Sequence, residues 1–200
     1  MIDIFSVMSQ KCVTVGVYAT RFLLPWLKER FCIINHLILR CSAIRLLILL
    51  PFRKTEFTLA RWDEYDGDCL HIPVERTKTK VQISLPFSDF AKAYLPAWRD
   101  DTDLMFSTDG QVATRFDDKL LKLITREASI EPFGWHDFRR TFSTHLNETP
   151  NADFIAVDAC LNHTVEAQRG VAGVYNHAEY RSRKQAVLQQ WSDLVEAAVG

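Results

Sequence analysis

The chain has 200 residues, 48 % of them apolar and 24 % charged, and its 24 Lys and Arg against 25 Asp and Glu leave a net charge of −1. These values exclude an intrinsically disordered chain, a collagen-like repeat and a polytopic membrane protein, and they provide enough chain for a continuous core without disulfide or metal staples. The near-neutral sum neither points to nor excludes a polyanionic partner, so a site for one has to be a focused pocket. Five cysteines, Cys12, Cys32, Cys41, Cys69 and Cys160, fall at unrelated spacings. An odd number without a repeat implies free thiols in a reducing compartment. Asp3 stands where a secretory signal needs a basic cluster, so the expected location is the cytoplasm.

Residues 1–33 show no sustained helical or strand period and are left unassigned, while 34–200 read as one domain. Phe31 to Phe52 is the most apolar stretch, but Asn35, His36, Arg40 and Arg45 interrupt it, and Ile34 to Leu50 within it has helical spacing. A buried amphipathic helix ending at Pro51 fits better than a membrane span of roughly 20 uncharged residues. A short helix from Lys54 to Ala60 follows a tight corner. The stretch TLARWDEYDGDCLHIPVERTKTKVQISLPFS, with turns at Asp66-Gly67 and near Thr77 to Lys80, then reads as a three-stranded antiparallel meander. Ser88 is expected to cap a helix reaching about Trp98, and Thr114 one reaching about Ala128. Three more helices follow, at Trp135 to Leu146, Ala152 to Leu161 and Glu179 to Val199. The expected fold is therefore mainly α with a small three-stranded antiparallel sheet, an α+β domain. On the last helix Val187, Leu188, Trp191, Leu194, Val195 and Ala198 form an apolar stripe, which packs either on its own core or against a neighbouring subunit.

The chemistry concentrates at His136-Asp137-Phe138-Arg139-Arg140, which opens a helix. An H-x-x-R spacing sets an imidazole and a guanidinium on one face about one turn apart, and a phosphate suits such a pair because Arg offers two parallel charge-assisted hydrogen bonds. Taken alone, the motif reads sooner as a capping histidine with arginines on a solvated face. Around it stand, in order, Arg53 in LPFRKTEF, Lys78 in RTKTKVQISLPFS, Leu161-Asn162-His163, and Tyr175 in GVAGVYNHAEY. Glu56, three residues after Arg53, is placed to orient that arginine through a salt bridge. Cys160-x-x-His163 and Cys69-x-His71 do not make the two close pairs of a structural zinc site, so no metal and no cofactor are expected.

These ordered motifs, over roughly residues 36 to 197, resemble the tyrosine recombinases, or phage-type integrases, and in particular prophage integrases that end in a Y-N-x-A-x-Y stretch followed by a Trp-containing helix. The resemblance implies a catalytic set of Arg53, Lys78, His136, Arg139, His163 and Tyr175, with Tyr180 as a competing nucleophile. It implies site-specific DNA recombination through a 3′-phosphotyrosine, double-stranded DNA as partner, and a homo-oligomer, expected as a tetramer, on that DNA. The residues agree in type. Tyr175 supplies a nucleophile, Arg53 and Arg139 a clamp for non-bridging oxygens, Lys78 an acid for the departing 5′-oxygen, and His136 and His163 proton transfer. Family members usually carry a further N-terminal helical domain, so the chain is expected to be an N-terminally truncated catalytic domain. Pro51-Phe52 stands where the family often has a small residue, which bears on the placement of Arg53. The alternative to an enzyme is a catalytically inactive remnant that holds DNA or a partner protein.

Overall fold

The computed structural model describes residues 31–100, 102–107, 109–128, 131–162 and 177–199. His163 and Tyr175 lie outside the described residues, as does nearly all of the unassigned N-terminal segment. Seven helices and one sheet are seen among the described residues: α1 (Phe31–Leu49), α2 (Lys54–Thr58), β1 (Cys69–Ile72), β2 (Ile83–Pro86), α3 (Asp89–Lys92), α4 (Asp118–Ala128), α5 (Asp137–Glu148), α6 (Phe154–Cys160) and α7 (His177–Val199). Helix α1 is the centre of the core. From Ala43 to Leu50 every residue except Arg45 is buried, so this half of the helix is enclosed on all sides and is not amphipathic. Arg45 lays its guanidinium over the Tyr94 ring at 4.8 Å. None of the described helices is long and apolar enough to cross a membrane.

The sheet has two strands where the sequence predicts three. β1 and β2 pair antiparallel, with Leu70 opposite Leu85 and His71 opposite Ser84. The segment expected as the third strand folds instead into a 3₁₀ turn at Trp62–Glu64, and its strand-like pairing is confined to isolated bridges, Arg61 to Leu104 and Tyr65 to Leu70. Local side-chain bonds win over the ladder. The Glu64 carboxylate accepts the Arg61 backbone N–H at 2.9 Å and the Arg76 guanidinium at 2.6 Å. Asp66 Oδ1 accepts the N–H groups of Asp68 and Cys69 at 2.9 and 2.7 Å. Arg76 is thereby committed to Glu64.

Helix ends follow the same logic. Ser88 accepts the Ala91 N–H at 3.1 Å, as its capping role requires, but α3 stops at Lys92 and does not reach Trp98. Pro96 disfavours helical geometry in the residue before it. Asp117, not Thr114, caps α4, its carboxylate accepting the Leu120 N–H at 3.0 Å. Thr114 is buried upstream, where its N–H donates to the Phe106 carbonyl. Asp153 caps α6 through the Ala156 N–H and also receives both Nε and Nη2 of Arg183 at 2.6 Å. That pairing holds the Asp153 carboxyl below the usual carboxylate range.

Helix α7 settles on the chain's own core, where it packs against α6, β2, α1, α3 and α5. Val187, Leu188, Trp191 and Val195 are buried there, and Leu194 and Ala198 are exposed. The Trp191 indole N–H donates to the Ile48 carbonyl at 2.8 Å, while its ring meets Phe142 edge-on. Lys184, largely buried, donates to the Ser84 carbonyl at 3.2 Å. Replacing Trp191 with Ala removes both the indole and its hydrogen bond, and should destabilise the fold by about 3–5 kcal/mol in urea unfolding followed by circular dichroism.

Candidate active site

Three elements bring the candidate residues together. Helix α1 runs into Pro51-Phe52, the chain turns, and Arg53 stands with extended backbone just before α2. Its side chain is 22 % exposed, and the guanidinium pairs with Glu56 Oε1 at 3.3 Å, one turn further on. Glu56 is itself 2 % exposed, and the same Oε1 accepts the backbone N–H of Lys78 at 3.1 Å. One carboxylate therefore orients the arginine and also fixes the connection between β1 and β2. The Lys78 side chain is exposed.

Arg139, on the first turn of α5, is 3 % exposed. Its Nη1 donates to the Pro51 carbonyl and its Nη2 to the Leu161 carbonyl at 2.6 Å. The guanidinium thus ties the end of α1 to the end of α6. Burial, reinforced by the charge of Arg53, pushes its pKa down to about 10, and Glu56 opposes that shift. Arg139 remains cationic at neutral pH. His136, the residue before α5, is exposed and makes no capping bond through its side chain. Partial burial and then the Arg139 charge hold its pKa below the ordinary imidazole value; Arg53 and Arg140 act the same way, while Asp137 opposes them.

Arg53, His136 and Arg139 are thus electrostatic neighbours although 86 positions of sequence separate the first from the last. Lys78 joins them through its backbone. Pro51, the departure from the expected small residue, takes part through its carbonyl. Next to Leu161, Asn162 is buried with positive φ (50°), a conformation Asn tolerates better than most residues. Its amide donates to Thr79 Oγ1 at 2.7 Å and to the Val81 carbonyl at 3.1 Å, fastening the chain just ahead of His163 to the hairpin that carries Lys78. The sequence reading missed the Pro51 and Leu161 carbonyls as arginine acceptors, because backbone acceptors leave no residue-type signal. It also missed Asn162, whose signal was its place inside Leu161-Asn162-His163. The second role of Glu56, at the hairpin, was equally invisible.

A sequence model described as the phage integrase family matches residues 33–182 of the chain. The chain belongs to the phage integrase family. The chain is 30 % identical over 168 residues to prophage integrase IntZ of Escherichia coli (strain K12), an alignment covering 78 % of the chain and 39 % of that relative. It is 28 % identical over 159 residues to prophage integrase IntA of the same organism, covering 73 % of the chain and 36 % of IntA. The chain therefore spans well under half the length of the curated relatives it matches. No solved structure matches it.

The electrostatics of the cluster give a direct test. With a depressed pKa, His136 stays neutral to lower pH than a free imidazole, and removing a neighbouring cation must raise its titration midpoint. Proton NMR of the His136 ring should show a midpoint below that of a denatured-chain histidine. Arg53→Ala, on the exposed side of the cluster, should move the midpoint up; an unchanged or lower midpoint would mean that Arg53 does not act on His136.

Proposed function

We propose that this integrase is the catalytic part of a site-specific DNA recombinase that integrates and excises prophage DNA. The observation that carries the reading is the charge of the cluster: two guanidiniums, Arg53 and Arg139, share the field of one carboxylate, Glu56, beside the imidazole of His136. Like charges held together in this way call for an anion, and the solvent-accessible member, Arg53, can reach one. A phosphodiester fits the two-sided geometry of a guanidinium, and membership of the phage integrase family supports duplex DNA as its source. The integrase would work as a homo-oligomer, a tetramer on two duplexes, since recombination requires four strand cleavages.

In this reading the Tyr175 oxygen attacks the scissile phosphorus while Arg53 holds a non-bridging oxygen. Arg139, with two nitrogens spent on carbonyls, acts mainly through its charge and by fixing the site's walls. His136 and His163 assist proton transfer, and the bond to the 5′-oxygen breaks as Lys78 protonates it. The product is a 3′-phosphotyrosine and a free 5′-hydroxyl. A second 5′-hydroxyl reverses the step, so rejoining needs no external energy source.

The burial of Arg139 favours a second reading, in which the chain is an inactive remnant that binds DNA or a partner protein. Nicked suicide substrates, from which the 5′ end diffuses away, separate the two. An active enzyme should leave a protein–DNA band that survives denaturation and disappears with Tyr175→Phe. Persistence of the band in Tyr175→Phe with loss in Tyr180→Phe would transfer the role to Tyr180, and absence of any band would leave the binding-module reading.

If Lys78 is the general acid, Lys78→Ala should slow cleavage by about 100-fold or more while sparing DNA affinity. The defect should largely vanish on a substrate whose 5′ leaving group needs no proton. Equal losses on both substrates would take Lys78 out of proton transfer.

A further inference from the structure

Outside the arginine cluster, the turn into β1 gathers three side chains that each offer a metal-ligating atom. Asp66 Oδ, Cys69 Sγ and a ring nitrogen of His71 all lie within 4.8 Å of one another. Cys69 and His71 are two apart on one strand and so share a face, and the turn that Asp66 closes through the Asp68 and Cys69 N–H groups folds its carboxylate back over them. The spacing Cys69-x-His71 alone argues against a metal; the third donor comes from the turn.

We propose that Asp66, Cys69 and His71 form a binding site for Zn²⁺ or a similar borderline-soft divalent cation, braced on the hairpin that carries Lys78. A thiolate, an imidazole and a carboxylate are the donor set such a cation prefers, and magnesium or calcium would seek oxygen ligands instead. Asp66 Oδ2 and His71 Nε2 stand 3.0 Å apart, close to the roughly 3.3 Å that separates two ligands of one tetrahedral zinc. The Cys69 sulfur lies within 4.8 Å of both of these atoms and has the longer approach to make. The opposite ring nitrogen of His71, Nδ1, is 2.8 Å from Ser84 Oγ, directly across the strand pair. Ligating histidines are usually held by such an outer hydrogen bond, which leaves Nε2 for the metal.

Charge and access agree with this assignment. One carboxylate and one thiolate neutralise a dication. Asp68, the adjacent acid, is engaged by Lys92 at 2.7 Å and lies 3.8 Å from Arg181. Asp66 and His71 are partly exposed while Cys69 is buried beneath them, so the ion enters from the solvent side and its fourth position falls to water. Binding releases the thiol proton, and His71 takes the tautomer with its proton on Nδ1, facing Ser84.

The test is a titration of the full chain with Co²⁺, a spectroscopic substitute for Zn²⁺. One equivalent should produce a thiolate-to-metal charge-transfer band in the near ultraviolet and the intense visible bands of tetrahedral cobalt, both bleached by Zn²⁺. Cys69→Ser and His71→Gln should each abolish the bands, although Cys12, Cys32, Cys41 and Cys160 remain. His71 is partly exposed, so His71→Gln decides the matter if Cys69→Ser fails to fold. Absence of the bands in the unaltered chain, or their persistence in either folded variant, overturns the site.

Discussion

Arg139 is the constraint on which the rest of the site depends. A guanidinium with almost no solvent contact loses its hydration and is tolerated only where fixed dipoles replace it. Here the Pro51 and Leu161 carbonyls do so for the two Nη groups, one from the exit of α1 and one from the exit of α6. Both carbonyls sit at chain turns, where backbone acceptors are not consumed by a helix or a ladder. One buried charge therefore ties together the ends of two elements. It also places Arg53, two residues after Pro51, and Asn162, one residue after Leu161. Arg139 organises the site as much as it populates it.

Around that pin, the fold spends few charges and shares them. Glu56 is the carboxylate whose field opposes the depression at Arg139, the ion-pair partner of Arg53 and the acceptor for the hairpin backbone. A second acid beside it would have neutralised the two guanidiniums. With one, the balance stays positive while the chain as a whole is slightly negative, so attraction for an anion is local, and added salt should weaken it less than it weakens contacts made by scattered surface lysines.

Much of this was legible from sequence because the informative residues differ in kind from their surroundings. Arg53, His136 and Arg139 stood out by chemical type and order, and the structure brings them together. The helices of the second half were readable from their apolar spacing, and α7 carries its stripe onto its own core. The failures share a cause. The segment before Asp66 alternates apolar and polar residues as a strand does, but Glu64 and Asp66 bind nearby backbone N–H groups, and pattern reading does not weigh that competition. Thr114 has the right type for a cap, but Asp117 is three residues before Leu120 and takes the role. What no residue type reveals is which carbonyl a buried arginine will find, or that a turn will carry Asp66 back over Cys69 and His71.

The sharing of one carboxylate oxygen has a thermodynamic corollary. Glu56 Oε1 faces two donors, the Arg53 guanidinium and the Lys78 N–H. An anion that draws Arg53 outward leaves that oxygen to the hairpin alone, strengthening its hold on the backbone at Lys78. Linkage is reciprocal. Whatever presses the hairpin against Glu56 must release Arg53 toward an anion by the same free energy. Two groups on separate parts of the chain are thereby biased to engage one ligand in concert, with no moving domain required.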